Sequence, residues 1–295
     1  MEGEHLGDNG SPGEECVEVD GILLPKIFVS NRPMKEHIDR IRALDVRDDD
    51  VFICAFAKSG THWTWEVLNM LMSGKAEYQK QKKETMMLEV TAVETIEALP
   101  SPRVLNTHLP VRMLPRQLMD KKGRIVFVYR NPKDLFVSMY FHLSQAKLAS
   151  TIKDLEELFM TGRTVTGDYF RYMKEVDAFI KENPQLNIFK VSFEDMKEDL
   201  VAAVGRYAEF LGVAVTPTLC TEIADACGFQ KLKHFGETYK ESSDFYIRTN
   251  ISPVTIFRKG EVGDWKNYMT VAQSERFDAA IQQLDGCDFR FRYQL

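Results

Sequence analysis

Four short apolar runs, each followed by a helical pattern, constrain this chain more than any other feature. The runs are Val51–Ala57, Arg103–Thr107, Ile125–Tyr129 and Asn187–Val191. They are rich in β-branched and aromatic residues and bounded by polar or turn residues, as in strands buried on both faces. Helical spacing of apolar residues follows at Thr61–Met72, Lys133–Leu148 and Tyr169–Lys181, and Asn183-Pro184 closes the last. Alternation of this kind predicts an α/β fold, with a central parallel sheet flanked by helices. In such sheets ligands bind at the carboxyl ends of the strands, so the residues just after each run are the candidates for function.

The chain has 295 residues and shows no repeat and no long Pro/Gly linker, so a single folded domain over 21–295 is expected. Residues 1–20 carry seven acidic residues and no Lys or Arg, and read as an acidic, disordered tail. That tail accounts for most of the formal net charge of −6; residues 21–295 hold 38 basic and 37 acidic residues, a net of +1. A near-neutral domain argues against coating nucleic acid or an anionic membrane. It leaves room for one small anionic ligand. Five scattered cysteines without a CxxC pair predict reduced thiols rather than a disulfide framework or zinc site. The opening MEGEHLGDNG does not read as a signal peptide, and no apolar run reaches the roughly 20 residues a bilayer needs. A cytoplasmic location is the expectation.

Four segments after the predicted strands carry possible chemistry. In the first, Lys58-Ser59-Gly60-Thr61-His62-Trp63, a strand gives way to a helix. The unpaired amides of a helix N-terminus suit a phosphate, Gly60 permits close approach, and Lys58 adds charge. An ordinary strand-to-helix turn with a solvated lysine fits equally well. The nucleoside-triphosphatase loop, GxxxxGK[ST], is absent because Lys58 precedes Gly60. In the second, Asn106-Thr107-His108-Leu109-Pro110, His108 is a candidate general base, although a lone histidine is more often structural. In the third, Arg130-Asn131-Pro132 opens a helix that places Ser138 about two turns in. Arg130 suits bidentate phosphate binding, or a carboxylate partner. In the fourth, Arg258-Lys259-Gly260 and Gly263-Asp264-Trp265 form a basic glycine-containing loop, able to wrap a phosphate or to lie solvated on the surface.

These four segments in this order resemble the cytosolic sulfotransferase family over about residues 20–295. The resemblance implies transfer of a sulfonate from 3′-phosphoadenosine-5′-phosphosulfate (PAPS) to a hydroxyl or amine of a small apolar acceptor, with PAP as product. It implies that Lys58, Ser59, Gly60, Thr61, His62 and Trp63 hold the 5′-phosphosulfate. Arg130, Ser138, Arg258, Lys259 and Gly260 would hold the 3′-phosphate. Trp63 and Phe229 would enclose the adenine, with Phe193 and Cys227 nearby, and His108, Lys58 and Ser138 would form the catalytic set. No metal is expected, since no carboxylate cluster has metal-ligand spacing. Lys266, Thr270, Val271 and Glu275 complete the family's dimer motif, which implies a homodimer; Thr270 with Gln273 also reads as a helix capping box. Phe28, Phe141 and His142 are candidate acceptor-pocket walls, or core packing.

Several positions depart from the family pattern. Asn106 stands where a lysine that contacts the sulfonate is usual. His62 replaces a threonine, Phe193 a tyrosine, and Cys227-Gly228 a Thr-Ser pair. A PAPS/PAP-binding homologue with weak or no catalysis is therefore the alternative, and a nucleotide kinase a remoter one.

Overall fold

The computed structural model describes residues 16–28, 32–120, 123–145, 149, 151–164, 166–239 and 257–295. Six strands occur among them: β1 (Cys16–Val19), β2 (Ile22–Pro25), β3 (Val51–Ala55), β4 (Val104–Thr107), β5 (Arg124–Tyr129) and β6 (Asn187–Ser192). The last four make one parallel sheet in the order β4-β3-β5-β6. All five residues of β3 are buried, because the strand has a neighbour on each edge and helices over both faces. The chain leaves β3 toward β4 on one side and later returns to β5 on the other. That reversal opens a crevice at the carboxyl end of β3, where the sequence places the Lys58 turn. The strand ends at Ala55, two residues before the predicted boundary, and Ala57 and Lys58 already belong to the turn.

The opposite end of the sheet is pinned by a buried ion pair. Arg103 donates from Nε to Asp50 Oδ1 at 2.8 Å and pairs its Nη2 with the other carboxylate oxygen. The same guanidinium reaches the carbonyls of Asp45 (2.9 Å) and Ile96 (3.2 Å). Every lone pair and proton so used offsets the cost of burying the charges.

Helices Thr61–Ser73, Pro132–Gln145 and Tyr169–Glu182 follow the predicted patterns. The predicted end of the second, at Leu148, lies outside the described residues. Phe56, Phe159, Tyr169 and Tyr172 form an aromatic cluster beneath the sheet's carboxyl end, with ring centroids 5.3 to 6.5 Å apart around Phe56. Tyr169 spends its hydroxyl on the Arg130 carbonyl at 2.8 Å, which steadies the end of β5.

The predicted tail needs correction at its end. Residues 1–15 lie outside the described residues, but β1 pairs antiparallel with β2, from Cys16 opposite Pro25 to Val19 opposite Ile22. The turn is Asp20-Gly21, with φ of 49° and 78°. Two successive left-handed residues give the twist a two-residue hairpin requires. Val19, Ile22 and Leu24 are buried, so the segment joins the core rather than solvent.

Candidate active site

The turn after β3 is built on two left-handed residues, Lys58 (φ 71°) and Gly60 (φ 109°). Gly60 is also the N-cap of the Thr61–Ser73 helix. A Cβ at Gly60 would lie 3.0 Å from the Phe193 ring, so glycine serves both the backbone angle and the close approach. For Lys58 the same conformation costs about 1 kcal/mol or more, and such strain gathers where geometry matters for function. Ser59 is fully buried and Thr61 nearly so, and the hydroxyls of both have no hydrogen-bond partner among the described residues. The indole nitrogen of Trp63 shares that condition.

Arg130 enters from the end of β5. Its guanidinium lies 4.1 Å above the Phe193 ring and donates to the carbonyls of Lys58 (3.4 Å) and Glu261 (3.2 Å), and Nε is buried without a partner among the described residues. The loop from 257 is folded against the same place by Asp134, whose carboxylate accepts from the amides of Gly263 (2.7 Å) and Trp265 (2.9 Å). Within that loop Asp264 pairs with both Arg258 and Lys259. Arg258 still presents a buried Nη1 without a partner among the described residues. Gly260 is pressed on the Phe229 ring so closely that a Cβ would fall 2.3 Å from Cδ2. Phe229 and Trp63 are both half-buried, and Phe257 links Phe229 to His62 through edge contacts at 6.5 and 6.1 Å.

His108 stands at the end of β4. Its Nδ1 donates to the Ala55 carbonyl at 2.8 Å, because a carbonyl can only accept. Nε2 is then the nitrogen free of a proton. Burial pushes the imidazole pKa down to about 3, and the charges of Lys83 and Lys58 act the same way. Glu89 fixes the backbone here, accepting from the His108 amide at 2.7 Å and from the Thr107 hydroxyl at 2.8 Å. His142 is half-buried; burial holds it well below its usual pKa, and the charges of Lys58 and Lys83 act the same way.

Several residues do not sit as the sequence suggests. Cys227 is fully buried with Sγ 3.7 Å from the Met70 sulfur, so its side chain is not available to a nucleotide. Phe141 packs against Tyr268 at 4.9 Å and under the Arg258 guanidinium at 4.7 Å. Its ring therefore supports the C-terminal loop. Ser138 lies one helical turn before it and is half-buried. His62 turns its Nε2 to Glu84 at 2.7 Å, away from the role of a ring donor to phosphate. Asn106 is fully buried and bonded to Lys83 at both ends of its amide. Phe28 is half-buried against the core. Lys83, Glu89, Asp134 and Glu194 were not singled out by sequence. Asp134 lies four residues after Arg130, one helical turn away, and that spacing was the available signal. Lys83 sits in the polar run Gln79–Thr85, which reads as solvated.

Among the described residues no three His, Cys, Asp or Glu side chains gather as a metal site would need, and no helix is long and apolar enough to cross a membrane. The family model of the sulfotransferase domain matches residues 48–286. The chain belongs to the sulfotransferase family. This sulfotransferase is 34% identical over 296 residues to Sulfotransferase 1A1 of Mus musculus, covering 95% of its own chain and 97% of the other. It is 31% identical over 256 residues to the Amine sulfotransferase of Oryctolagus cuniculus, covering 83% and 84%. Among solved structures it superimposes on mouse sulfotransferase SULT7A1 complexed with PAP, with a TM-score of 0.76, 26% identity, and coverage of 92% and 96%.

Proposed function

We propose that this sulfotransferase uses PAPS as donor and moves its sulfonate to a hydroxyl or amine of a small apolar acceptor, releasing PAP. One observation carries the reading. Ser59, Thr61, Trp63, Arg130 and Arg258 each hold a buried polar atom without a partner among the described residues, and the Lys58 turn and the 257–266 loop bring them to one crevice. A buried donor left unpaired costs about 1–3 kcal/mol. Five in one place fit a ligand rich in acceptor oxygens at two separated positions. The donor's 5′-phosphosulfate suits the amides and hydroxyls of residues 58–63. Its 3′-phosphate suits Arg130, Ser138 and the Arg258–Gly260 loop, and its adenine suits the faces of Trp63, Phe193 and Phe229.

In the transfer the acceptor oxygen forms a bond to sulfur as the bond from sulfur to the bridging phosphate oxygen breaks. The acceptor proton passes to His108 Nε2, the nitrogen left bare by the Ala55 contact. The electron pair of the broken bond stays on PAP, where Lys58 balances it. A histidine held neutral at working pH is the form this step needs.

The test is transfer of radiolabelled sulfonate to a panel of phenols, alcohols, steroids and amines, with calorimetry of PAP beside it. His108→Ala should lower turnover at least about 100-fold while PAP affinity stays within twofold. Unchanged turnover would remove His108 from its role. Tight PAP binding with no transfer to any acceptor would instead favour the binding-protein reading, for which Asn106 is the motivating residue. The reading extends to a cytoplasmic enzyme that pairs as a homodimer through Lys266, Thr270, Val271 and Glu275. Its support is the complete sequence motif Lys266, Thr270, Val271 and Glu275, within which Val271 is 75% exposed and so accessible to a partner.

A further inference from the structure

The 3-10 turn Lys83–Met86 crosses the carboxyl end of β4 and carries a lysine that is only 3% exposed. Its Nζ donates to Asn106 Oδ1 at 2.9 Å, and Asn106 Nδ2 donates back to the Lys83 carbonyl at 2.9 Å. Met87 extends the attachment: its Sδ lies 3.8 Å from Nζ, and it forms an isolated parallel bridge with Asn106. Glu84, the next residue, fastens the turn to the Lys58 segment through His62. The ammonium is thus held in place from both sides of the site.

Burying an ammonium costs several kcal/mol unless something compensates. A carboxylate in contact would cancel the charge. Here the contacting oxygen belongs to a neutral amide; burial lowers the Lys83 pKa, and the nearby carboxylates Glu84 and Glu89 oppose that fall and favour the charged form. The charge acts in turn on His108 and His142, whose protonation it opposes. Glu89 has committed both oxygens to Thr107 and His108. Lys58, in the turn after β3, acts on His108 in the same sense as Lys83.

We propose that Lys83 is a positioning residue of the transfer step, presenting through Asn106 one fixed positive charge beside His108 and the migrating sulfonate. Lys83 and Asn106 form one unit, with the amide supplying the anchor and the ammonium the charge. The inference rests on the proposed use of PAPS and adds the residue that sets the field at its sulfonate end. It also explains how an uncharged Asn106 is compatible with catalysis.

The experiment compares wild type with Lys83→Gln, Lys83→Arg and the double variant Lys83→Gln/Asn106→Lys. PAP and PAPS affinities are measured by calorimetry without acceptor, and kcat with whichever panel alcohol the wild type sulfonates fastest. In Lys83→Gln, PAP affinity should stay within twofold, while the preference for PAPS over PAP and kcat should each fall about tenfold or more. Lys83→Arg should keep most of both. The double variant should recover them, because the cation returns from strand β4 instead of the turn. A Lys83→Gln protein with an unchanged PAPS-to-PAP ratio and unchanged kcat overturns the proposal. So does a loss that neither Arg nor the relocated lysine restores, since that marks a structural tether. A wild type that binds PAP poorly defeats the PAPS reading itself, and the role of Lys83 falls with it; the PAP titration separates that case from the others.

Discussion

His108 combines two conditions that oppose one another in water: a ring nitrogen open to a substrate and a proton affinity far below normal. Burial is the main cause of the second, and the cations Lys83 and Lys58 add to it. The unfolded chain takes a proton on this residue near pH 6.5, whereas the folded chain resists until about 3. The stabilising effect of keeping the residue neutral is therefore complete above pH 6.5 and declines as pH falls toward 3. Glu194, raised to about 7 by burial, works in the opposite sense: its neutral folded form loses advantage as pH rises toward 7. Comparing wild type with His108→Gln cancels the Glu194 contribution. The unfolding midpoint of His108→Gln should fall less steeply between pH 6.5 and 4, and equal slopes would contradict this account. With an alcohol acceptor, kcat of the wild type should show no acid limb near pH 6.5. Residue-scale legibility was uneven. His108 and Lys58 stand beside strand ends, which made them candidates, but only the four segments taken together in order singled them out. Lys83 was not, because its burial comes from long-range packing of a turn whose local sequence, Gln-Lys-Gln-Lys-Lys-Glu-Thr, looks solvated. Cys227 failed in the other direction: position near Phe229 suggested the site, while its side chain faces Met70.

Elements here are held by a few specific polar contacts at their ends. Asp134 sits in the first turn of the Pro132–Gln145 helix, yet its main work is distant in sequence, receiving the amides of Gly263 and Trp265. Asp134→Ala leaves both amides without that acceptor and should cost about 2–4 kcal/mol, read from denaturant midpoints. PAP affinity should fall with it, because the loop carrying Arg258 loses its anchor. A variant with full stability would show that water replaces the carboxylate. The capping box at Thr270 is present in both halves, Thr270 receiving the Gln273 amide at 3.2 Å and Gln273 the Thr270 amide at 2.9 Å. It was readable from sequence because capping is a local code. The β1–β2 hairpin was equally local, since Asp-Gly between Val19 and Ile22 is a strong turn signal. It went unread because the acidic run around it suggested solvent.

For the molecule as a whole, the parallel sheet was legible from the number and burial of its strands, and the order β4-β3-β5-β6 was not. Strand order is decided by which crossover packs best, and no single segment encodes that. Dimerisation belongs to this scale too, and the two readings of residues 270–271 separate there. Val271→Glu should shift sedimentation from dimer to monomer with an unchanged unfolding midpoint per chain. Thr270→Ala should lower that midpoint by about 1 kcal/mol. A monomeric wild type removes the homodimer from the proposal.

The sheet is finished at Ser192, but the crevice is closed by far later residues. Asn131 donates to the Arg292 carbonyl at 2.9 Å, and Phe289 and Phe291 pack on Tyr129. During synthesis, all four parallel strands and the Asp134 anchor are made before the Arg258 loop and residues 289–292 exist. The nucleotide therefore has no complete cradle to bind on a nascent chain and cannot template its folding. It can only reward chains already made through residue 292, so binding serves as a check on completeness.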